Sequence, residues 1–182
     1  MCRICAPVAS RHARVREARM AAHLDEWAAA GLIPAVTLWN RSNPTSDRAQ
    51  CKAYRVDFVF ERAEGVVLLE YDEAMHSDRD RRCELVRQGE VALGYGGRPV
   101  HWIRFNPDAF KVGGQTRRTS TKERMDFVLG ALRSALAVAD YDHLITVDYV
   151  CYTKERGDAA SDLVQTFKFG TIEDYCVWAE SV

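Results

Sequence analysis

The chain has 182 residues, of which 47% are hydrophobic and 28% are charged, an ordinary balance for a globular domain. Its formal net charge of -1 excludes a general electrostatic attraction to nucleic acid, so any phosphate binding must depend on local basic patches. No apolar run reaches the roughly 20 residues that cross a bilayer, and the N-terminus lacks the apolar core of a signal peptide, which predicts an intracellular protein.

This length fits one compact domain, because single hydrophobic cores typically serve roughly 100–200 residues. We expect one domain over residues 1–182, with a core from about 11 to 152 and a C-terminal extension from 153 to 182. Six cysteines are scattered through a chain that is large enough to fold without disulfides, so most are expected to be reduced. Cys2 and Cys5 form a single CxxC, and a zinc site there is left open, although structural zinc normally needs four ligands.

The first predicted element is a helix over residues 11–30, a stretch rich in Ala, Arg and Glu with an apolar stripe at helical spacing. Gly31 is a plausible C-cap, and Pro34 prevents the helix from continuing. A short strand is predicted at 35–39. The polar residues 40–50 that follow indicate a loop.

Three strand patterns come next, with a helix before the last of them. Residues 54–60 alternate between apolar and polar types, whereas 65–71 form an almost continuous apolar run that is typical of a strand covered on both faces. The polar segment 77–91 has the length of one helix, and 99–105 is the third strand. This order predicts a mixed sheet with a crossover connection.

The last third of the chain continues the alternation. Gly113 and Gly114 open a basic loop, GGQTRRTSTK, whose end supplies N-caps for a helix at about 122–139. Residues 144–152 form a strong strand pattern, and 163–169 are either a strand or a segment that packs across the sheet edge. The predicted fold class is α/β, with a mixed β-sheet flanked by helices.

Carboxylates collect at the ends of two predicted strands. Asp57 lies inside a strand pattern, where Asp is unfavoured, and Glu70 and Asp72 end the most apolar strand of the chain. Glu70 and Asp72 are two residues apart and share a face of an extended strand. If the two strands pair, three carboxylates converge on one Mg²⁺ or Mn²⁺ ion, an arrangement suited to phosphodiester hydrolysis. The alternative is a set of solvated acids at a polar sheet edge.

An ordered set of motifs runs from about residue 54 to 110. A strand Asp is followed by a strand ending in E-x-D-E-x-x-H, a helix with C-E-x-x-R, and a strand ending in I-R-F-N-P-D. These motifs resemble those of the PD-(D/E)xK restriction-endonuclease-like proteins of large DNA viruses and some eukaryotes, which are distantly similar to very short patch repair endonucleases. The flanking helix and the C-terminal third match only in pattern. The motif residues are Asp57; Glu70, Asp72, Glu73 and His76; Cys83, Glu84 and Arg87; and Ile103 to Asp108.

The resemblance implies a restriction-endonuclease-like three-layer core and a DNA endonuclease site that depends on Mg²⁺ or Mn²⁺. Asp57 and Glu70 fall on the family's metal-binding acids, and Val56 stands where the motif has Pro. Asp72 occupies the place of the motif's Lys, where it would be a further metal ligand or a base. The family carries Asp at this place as well, so the departure need not mean that activity is lost. The positive charge must then come from elsewhere in the chain.

Three further residues are candidate catalytic groups. His76 would orient water, contact phosphate or protonate the leaving oxygen, or else cap the next helix. Arg87 would supply the missing positive charge, or else pair only with Glu84 one turn earlier. Glu17 would add a carboxylate from the first helix, or else be solvated like most helix acids.

Basic residues near the glycine loop are the candidate contacts to DNA, the expected partner. Arg117, Arg118 and Lys122 form this patch together with Arg124, and Arg104 either touches phosphate or supports the turn that follows it. A second patch consists of Arg11, Arg14, Arg16 and Arg19, and both patches have ordinary solvated faces as the alternative.

A homodimer is an additional option, no membrane partner is expected, and the predicted location is cytoplasm or nucleus, or the virion of a virus. The competing function is that of a catalytically inactive nuclease-fold protein with a binding or structural role.

Overall fold

The computed structural model describes residues 11–42, 55–73, 81–153 and 163–181. Helices and strands alternate along these segments. The helices are α1 (Arg11–Ala29), α2 (Arg81–Gly94), α3 (Thr121–Ala137) and α4 (Ile172–Ser181). The strands are β1 (Leu38–Ser42), β2 (Arg55–Glu61), β3 (Val66–Tyr71), β4 (Val100–Phe105), β5 (Phe110–Val112), β6 (Gln115–Arg117), β7 (Ile145–Val150) and β8 (Val164–Phe169).

Six strands form one mixed sheet in the order β1-β2-β3-β4-β7-β8. The central strands β3, β4 and β7 are parallel to one another, whereas β1, β2 and β8 join the sheet by antiparallel pairing. The crossover from β3 to β4 contains α2, and the one from β4 to β7 contains α3. The predicted α/β class, with a mixed sheet flanked by helices, is therefore confirmed.

Helices cover both faces of the sheet and make a three-layer core. One face packs against α1 and α3 through residues such as Leu24 and Leu132, and the other packs against α2 and α4. Alternate residues of β3 divide between the two clusters, with Val67 and Leu69 on the first face and Leu68 on the second. This double coverage explains why the sequence of β3 is an unbroken apolar run.

The structure resolves one segment that the sequence left open and corrects another that was predicted as a loop. Residues 163–181 form an edge strand, β8, and a helix, α4, that packs on α2, so the described part of the expected extension belongs to the three-layer core. The basic glycine loop is a hairpin in which β5 and β6 pair with each other. Gly113 and Gly114 have φ values of 55° and 79°, which suit a tight turn and which residues with a Cβ rarely adopt.

The described cysteines are reduced. Cys83, Cys151 and Cys176 are free thiols, whereas Cys2, Cys5 and Cys51 lie outside the described residues.

Among the helices of the described segments, none is both long and apolar enough to cross a membrane.

A close contact joins α4 to α2. Tyr175 is buried, and its hydroxyl donates to the carbonyl of Leu85 at 2.8 Å and lies 3.1 Å from Oε1 of Gln88. Its ring lies against Gly89, where an added Cβ would be 3.1 Å from Cε1. Phe169 packs edge-on against the same ring at a centroid distance of 5.2 Å. Glycine in a helix interior normally lowers stability. At position 89, however, the absence of a Cβ leaves the space that the Tyr175 ring occupies.

We expect Gly89→Ala to destabilise the protein by about 1 kcal/mol, because overpacking costs about 1–3 kcal/mol and exceeds the gain in helix propensity. Gly130→Ala is the matched control, since Gly130 lies inside α3 with nothing within 4 Å of an added Cβ. That control should stabilise by roughly 0.5–1 kcal/mol. Urea unfolding of both variants provides the measurement, and equal stabilisation of both would contradict the packing role of Gly89.

Candidate functional site

Asp57 lies where the pairing of β2 with β3 gives way to a side-chain contact. The antiparallel register runs from Glu61–Val66 to Phe58–Leu69, which brings Asp57 opposite Glu70. Beyond the last pair, the amide of Tyr71 donates to Oδ2 of Asp57 at 2.8 Å. The carboxylate therefore occupies a position between the two strands, at the end of β3.

The direction of the strand also changes at this point. Residues two apart in a regular strand share a face, yet Val56 packs in the cluster under α2 and α4, whereas Phe58 packs in the cluster under α1 and α3. Asp57 stands between them and is half-buried. The local irregularity therefore places the Asp57 carboxylate at the end of β3, while Val56 and Phe58 remain in the core.

Burial raises the pKa of Asp57 well above its ordinary value, and the charge of Glu70 raises it further. The hydrogen bond from the Tyr71 amide opposes this effect, and the smaller contributions of Glu17 and Asp72 again raise the pKa. Three other carboxylates thus act on Asp57 at this end of β2 and β3. Their mutual repulsion makes the site one that a cation would stabilise.

Glu70 is buried, and an arginine from α2 accompanies it. Nη2 of Arg87 lies 2.5 Å from Oε1 of Glu70 and also donates to the carbonyl of Arg55 at 2.5 Å. Nη1 of Arg87 lies 3.5 Å from Oε2 of Glu84. The two roles proposed for Arg87, a cation beside the acids and a helix pair with Glu84, therefore occur together in one geometry.

Asp72 sits just beyond β3 and is fully buried. Its Oδ2 accepts from Nε of Arg104 at 2.5 Å and from the hydroxyl of Tyr152. Arg104 also reaches Oε2 of Glu84 at 3.1 Å. Burial alone would lower the pKa of Arg104, but Asp72 together with Tyr152 and Tyr149 outweighs this effect and raises that pKa well above its ordinary value. The contacts make one continuous set of alternating charges: Asp72, Arg104, Glu84, Arg87 and Glu70.

The site divides into acids with different suitability for a metal ion. In the described segments, no group of three or more His, Cys, Asp or Glu residues is arranged to hold a metal ion. Asp57 and Glu70 face each other with Glu17 close by, and two carboxylates with water in the remaining positions suit Mg²⁺. Glu70 and Asp72 are both engaged by the protein, Glu70 by Arg87 and Asp72 by Arg104 and Tyr152. Asp72 fits the predicted ligand role less well, because it has two such partners and is fully buried. The donor set thus fits a hard cation through Asp57 and Glu70.

The predicted DNA contacts separate into buried and exposed residues. Arg104 is only 4% exposed, so its placement favours the support of the acids over phosphate contact. Arg118 and Lys122 are exposed, and Lys122 pairs with Asp126 at 3.0 Å on the same helix. Arg117 is partly buried in β6. His76 lies outside the described residues.

Two other arginines of the predicted patches hold the turn after β4. Arg124 donates to the carbonyls of Pro107 and Asp108, and Arg16 bonds the Asp108 carboxylate at 2.9 Å. Glu73 also lies 3.9 Å from Arg16. This turn is thereby fixed beside the end of β3, which leaves less of either arginine for an external phosphate.

Tyr152 and the bridging role of Glu84 were not predicted from the sequence. Tyr152 follows β7 in a connecting segment and carries no motif that would single it out. Glu84 belongs to the C-E-x-x-R motif, so its helix spacing was visible, but its contact with Arg104 depends on how α2 lies on the sheet.

No family model, curated protein or solved structure matches this chain. The similarity of its motifs to the PD-(D/E)xK proteins therefore stands as a proposal that depends on the motif residues themselves.

We expect Asp57→Asn to stabilise the metal-free protein at neutral pH. The folded-state pKa of Asp57 lies above its unfolded value of about 3.9, so the folded state holds this proton more tightly and loses stability as pH rises. Asn keeps an acceptor for the Tyr71 amide and carries no charge. Melting temperatures in EDTA should therefore favour the variant at pH 7–8, and the difference should shrink towards pH 3–4. A variant less stable by the same amount at every pH would contradict this expectation.

Loss of the arginine in the buried Arg104–Asp72 pair should be severe. We expect Arg104→Met to cost about 3–5 kcal/mol, because it leaves Asp72 buried without its ion pair. The second change Asp72→Asn should recover part of that loss. Lys122→Ala, which breaks an exposed pair with Asp126, should change stability by no more than about 0.5 kcal/mol. Denaturant unfolding measures all three, and similar effects for the buried and the exposed pair would refute the assignment.

Proposed function

We propose that this protein is a metal-dependent endonuclease that hydrolyses phosphodiester bonds in DNA, of the PD-(D/E)xK type with an E-x-D variant motif. The observation that carries the proposal is the pair of facing carboxylates, Asp57 and Glu70, at the end of a buried strand. Burial and, after it, the charge of Glu70 raise the pKa of Asp57, which is unfavourable for stability and is the type of arrangement found at functional sites.

Asp57 and Glu70 would hold the Mg²⁺ or Mn²⁺ ion, with Glu17 as an additional carboxylate. A bound divalent ion supplies activation of a water molecule and stabilisation of the leaving oxygen. The chain's own contribution is to fix both carboxylates. The Tyr71 amide orients Asp57, and Arg87 orients Glu70.

Arg87 supports the proposal in a second way. The Lys of the motif is replaced by Asp72, whose charge Arg104 neutralises within the protein. Arg87 instead brings a guanidinium from α2 to Glu70, beside the facing acids. It is the best placed of the described cations to take the charge role of the missing Lys.

A second candidate function is that of a nuclease-fold protein that binds nucleic acid or has a structural role, as in a virion or chromatin, without catalysis. The burial of Asp72 with Arg104 and Tyr152 favours this candidate, because a structural role alone explains why an acid stands at this position. This candidate predicts DNA binding that is indifferent to EDTA and to the charge of Glu70.

The test is cleavage of linear, nicked, branched and single-stranded DNA in Mg²⁺ or Mn²⁺. We expect EDTA to abolish cleavage, Asp57→Asn and Glu70→Gln to lower it by at least about 100-fold, and Arg87→Gln to lower it by about 10–100-fold, the range for residues that orient metal ligands. Asp140→Asn removes an exposed acid from the segment between α3 and β7 and should leave the rate unchanged.

Metal binding provides a readout besides activity. Mg²⁺ should raise the melting temperature of the wild type and not that of Asp57→Asn, since a ligand that binds only the folded state stabilises it. Because Asp57→Asn is itself expected to be more stable, its loss of cleavage cannot be attributed to unfolding. Absence of cleavage on every DNA form, together with no metal-dependent stabilisation, would favour the binding protein.

A further inference from the structure

The β5–β6 hairpin is a short two-stranded ribbon outside the main sheet. Phe110 pairs with Arg117, Lys111 with Thr116, and Val112 with Gln115. Phe110 and Val112 are 1% and 7% exposed, so this side of the ribbon faces the core. Side chains alternate along a strand, and the cross-strand pair Lys111 and Thr116 therefore points outwards.

The ribbon is anchored at its base and open at its tip. The amide of Lys111 donates to Oγ1 of Thr153 at 3.1 Å, and the guanidinium of Arg124 lies 5.9 Å from the centroid of the Phe110 ring. At the tip, a Cβ added to Gly113 or Gly114 would meet nothing within 4 Å. The hairpin thus lies with one face on the core along its whole length, and its outer face and glycine turn are exposed.

Its charge differs from that of the whole chain. Residues 111–122 include four basic residues and no acidic residue, although the chain has a net charge of -1. Lys111 and Arg118 are exposed, as is Lys122 at the start of α3. A local positive potential of this kind attracts phosphate where the global charge does not.

The base of the hairpin lies next to the acid site. Phe110 follows Asp108 by two residues, and Asp108 shares Arg16 with Glu73, the residue after Asp72. A polymer held by the hairpin would therefore lie beside the turn that Arg16 ties to the end of β3.

We infer that the β5–β6 hairpin enters the major groove of B-form duplex DNA, so that the substrate is double-stranded DNA; this inference rests on the proposed function. Three residues per strand give a ribbon about 10 Å long, and the major groove, about 12 Å wide, admits a two-stranded ribbon. With the outer face of the ribbon in the groove, Thr116 faces the base edges, while Lys111 and Arg118 meet phosphates on the groove walls.

Other nucleic acids fit this surface less well. Proteins that hold single strands stack bases on aromatic side chains, and residues 111–122 contain no aromatic residue. Double-stranded RNA has a deep and narrow major groove that side chains do not enter. The shape and composition of the hairpin therefore select B-form DNA.

The test is binding without cleavage, measured in EDTA by fluorescence anisotropy on a DNA duplex, its single strand and an RNA duplex of the same sequence. The combined variant Lys111→Ala, Arg118→Ala should weaken duplex DNA binding at least about 10-fold. Its plot of log affinity against log salt should be shallower by about 1.8, since each lost phosphate contact contributes about 0.9. Thr116→Glu, which puts a carboxylate on the outward face, should also weaken binding. The control Arg82→Ala, Arg133→Ala removes the same charge from exposed positions on α2 and α3 and should change affinity less than about 3-fold.

Each outcome decides one proposal. If the hairpin variant binds like the control, or if single strands or RNA bind as tightly as duplex DNA, the groove inference is overturned whether or not DNA is cleaved. If the hairpin variant loses duplex binding as expected but the wild type cleaves nothing with Mg²⁺ or Mn²⁺, the groove inference stands and the nuclease proposal fails.

Discussion

Three carboxylates, those of Asp57, Glu70 and Asp72, lie near the exit of a strand whose other side chains are almost all buried, and the surrounding structure is organised to tolerate them. Asp72 and Glu70 belong to the end of β3, where an isolated charge would cost several kcal/mol. Arg104 from β4 and Arg87 from α2 lie between them, with Glu84 joining the two guanidinium groups. The charges therefore alternate along a buried network, and Asp57 stands beside the end of this network at Glu70.

The position of α2 links this network to the C-terminal part of the chain. Glu84 and Arg87 reach the acids only if α2 lies close to the sheet, and Tyr175 of α4 bonds the carbonyl of Leu85 in the same helical turn. Behind Tyr175, a group of aromatic rings from β8 and α4 continues to Tyr149, whose ring lies 6.0 Å from the guanidinium of Arg104. Aromatic residues outside the family motifs thus help to position the motif residues of α2 and β4.

The sequence predicted the sheet well and the site in part, for physical reasons that differ. The apolar run of β3 and the alternation of β2 are local signals, so both strands and a mixed sheet with a crossover could be inferred. The pairing that sets Asp57 opposite Glu70 was only a condition at that point, and the strand predicted at 35–39 lies at Leu38–Ser42. Strand periodicity could not show that Asp72 lies just beyond the strand on Arg104, nor that Tyr152 bonds the same oxygen, because these contacts join distant segments. Gly113 and Gly114 indicated a loop. Only the structure shows that the residues on either side of them pair as the strands β5 and β6.

Contacts of long range in sequence also have a consequence for the rate at which the protein unfolds. Asp72 bonds a residue 32 positions away on β4 and another 80 positions away after β7, across two crossover connections. Chain closure over such distances precedes the contact, so the network is expected to form late in folding, after the sheet has assembled. Interactions that are absent from the transition state slow unfolding without speeding folding. The buried charges beside Asp57 would then lower the unfolding rate. A site that is destabilised by its own repulsion would therefore stay folded for longer, because the barrier to unfolding is high.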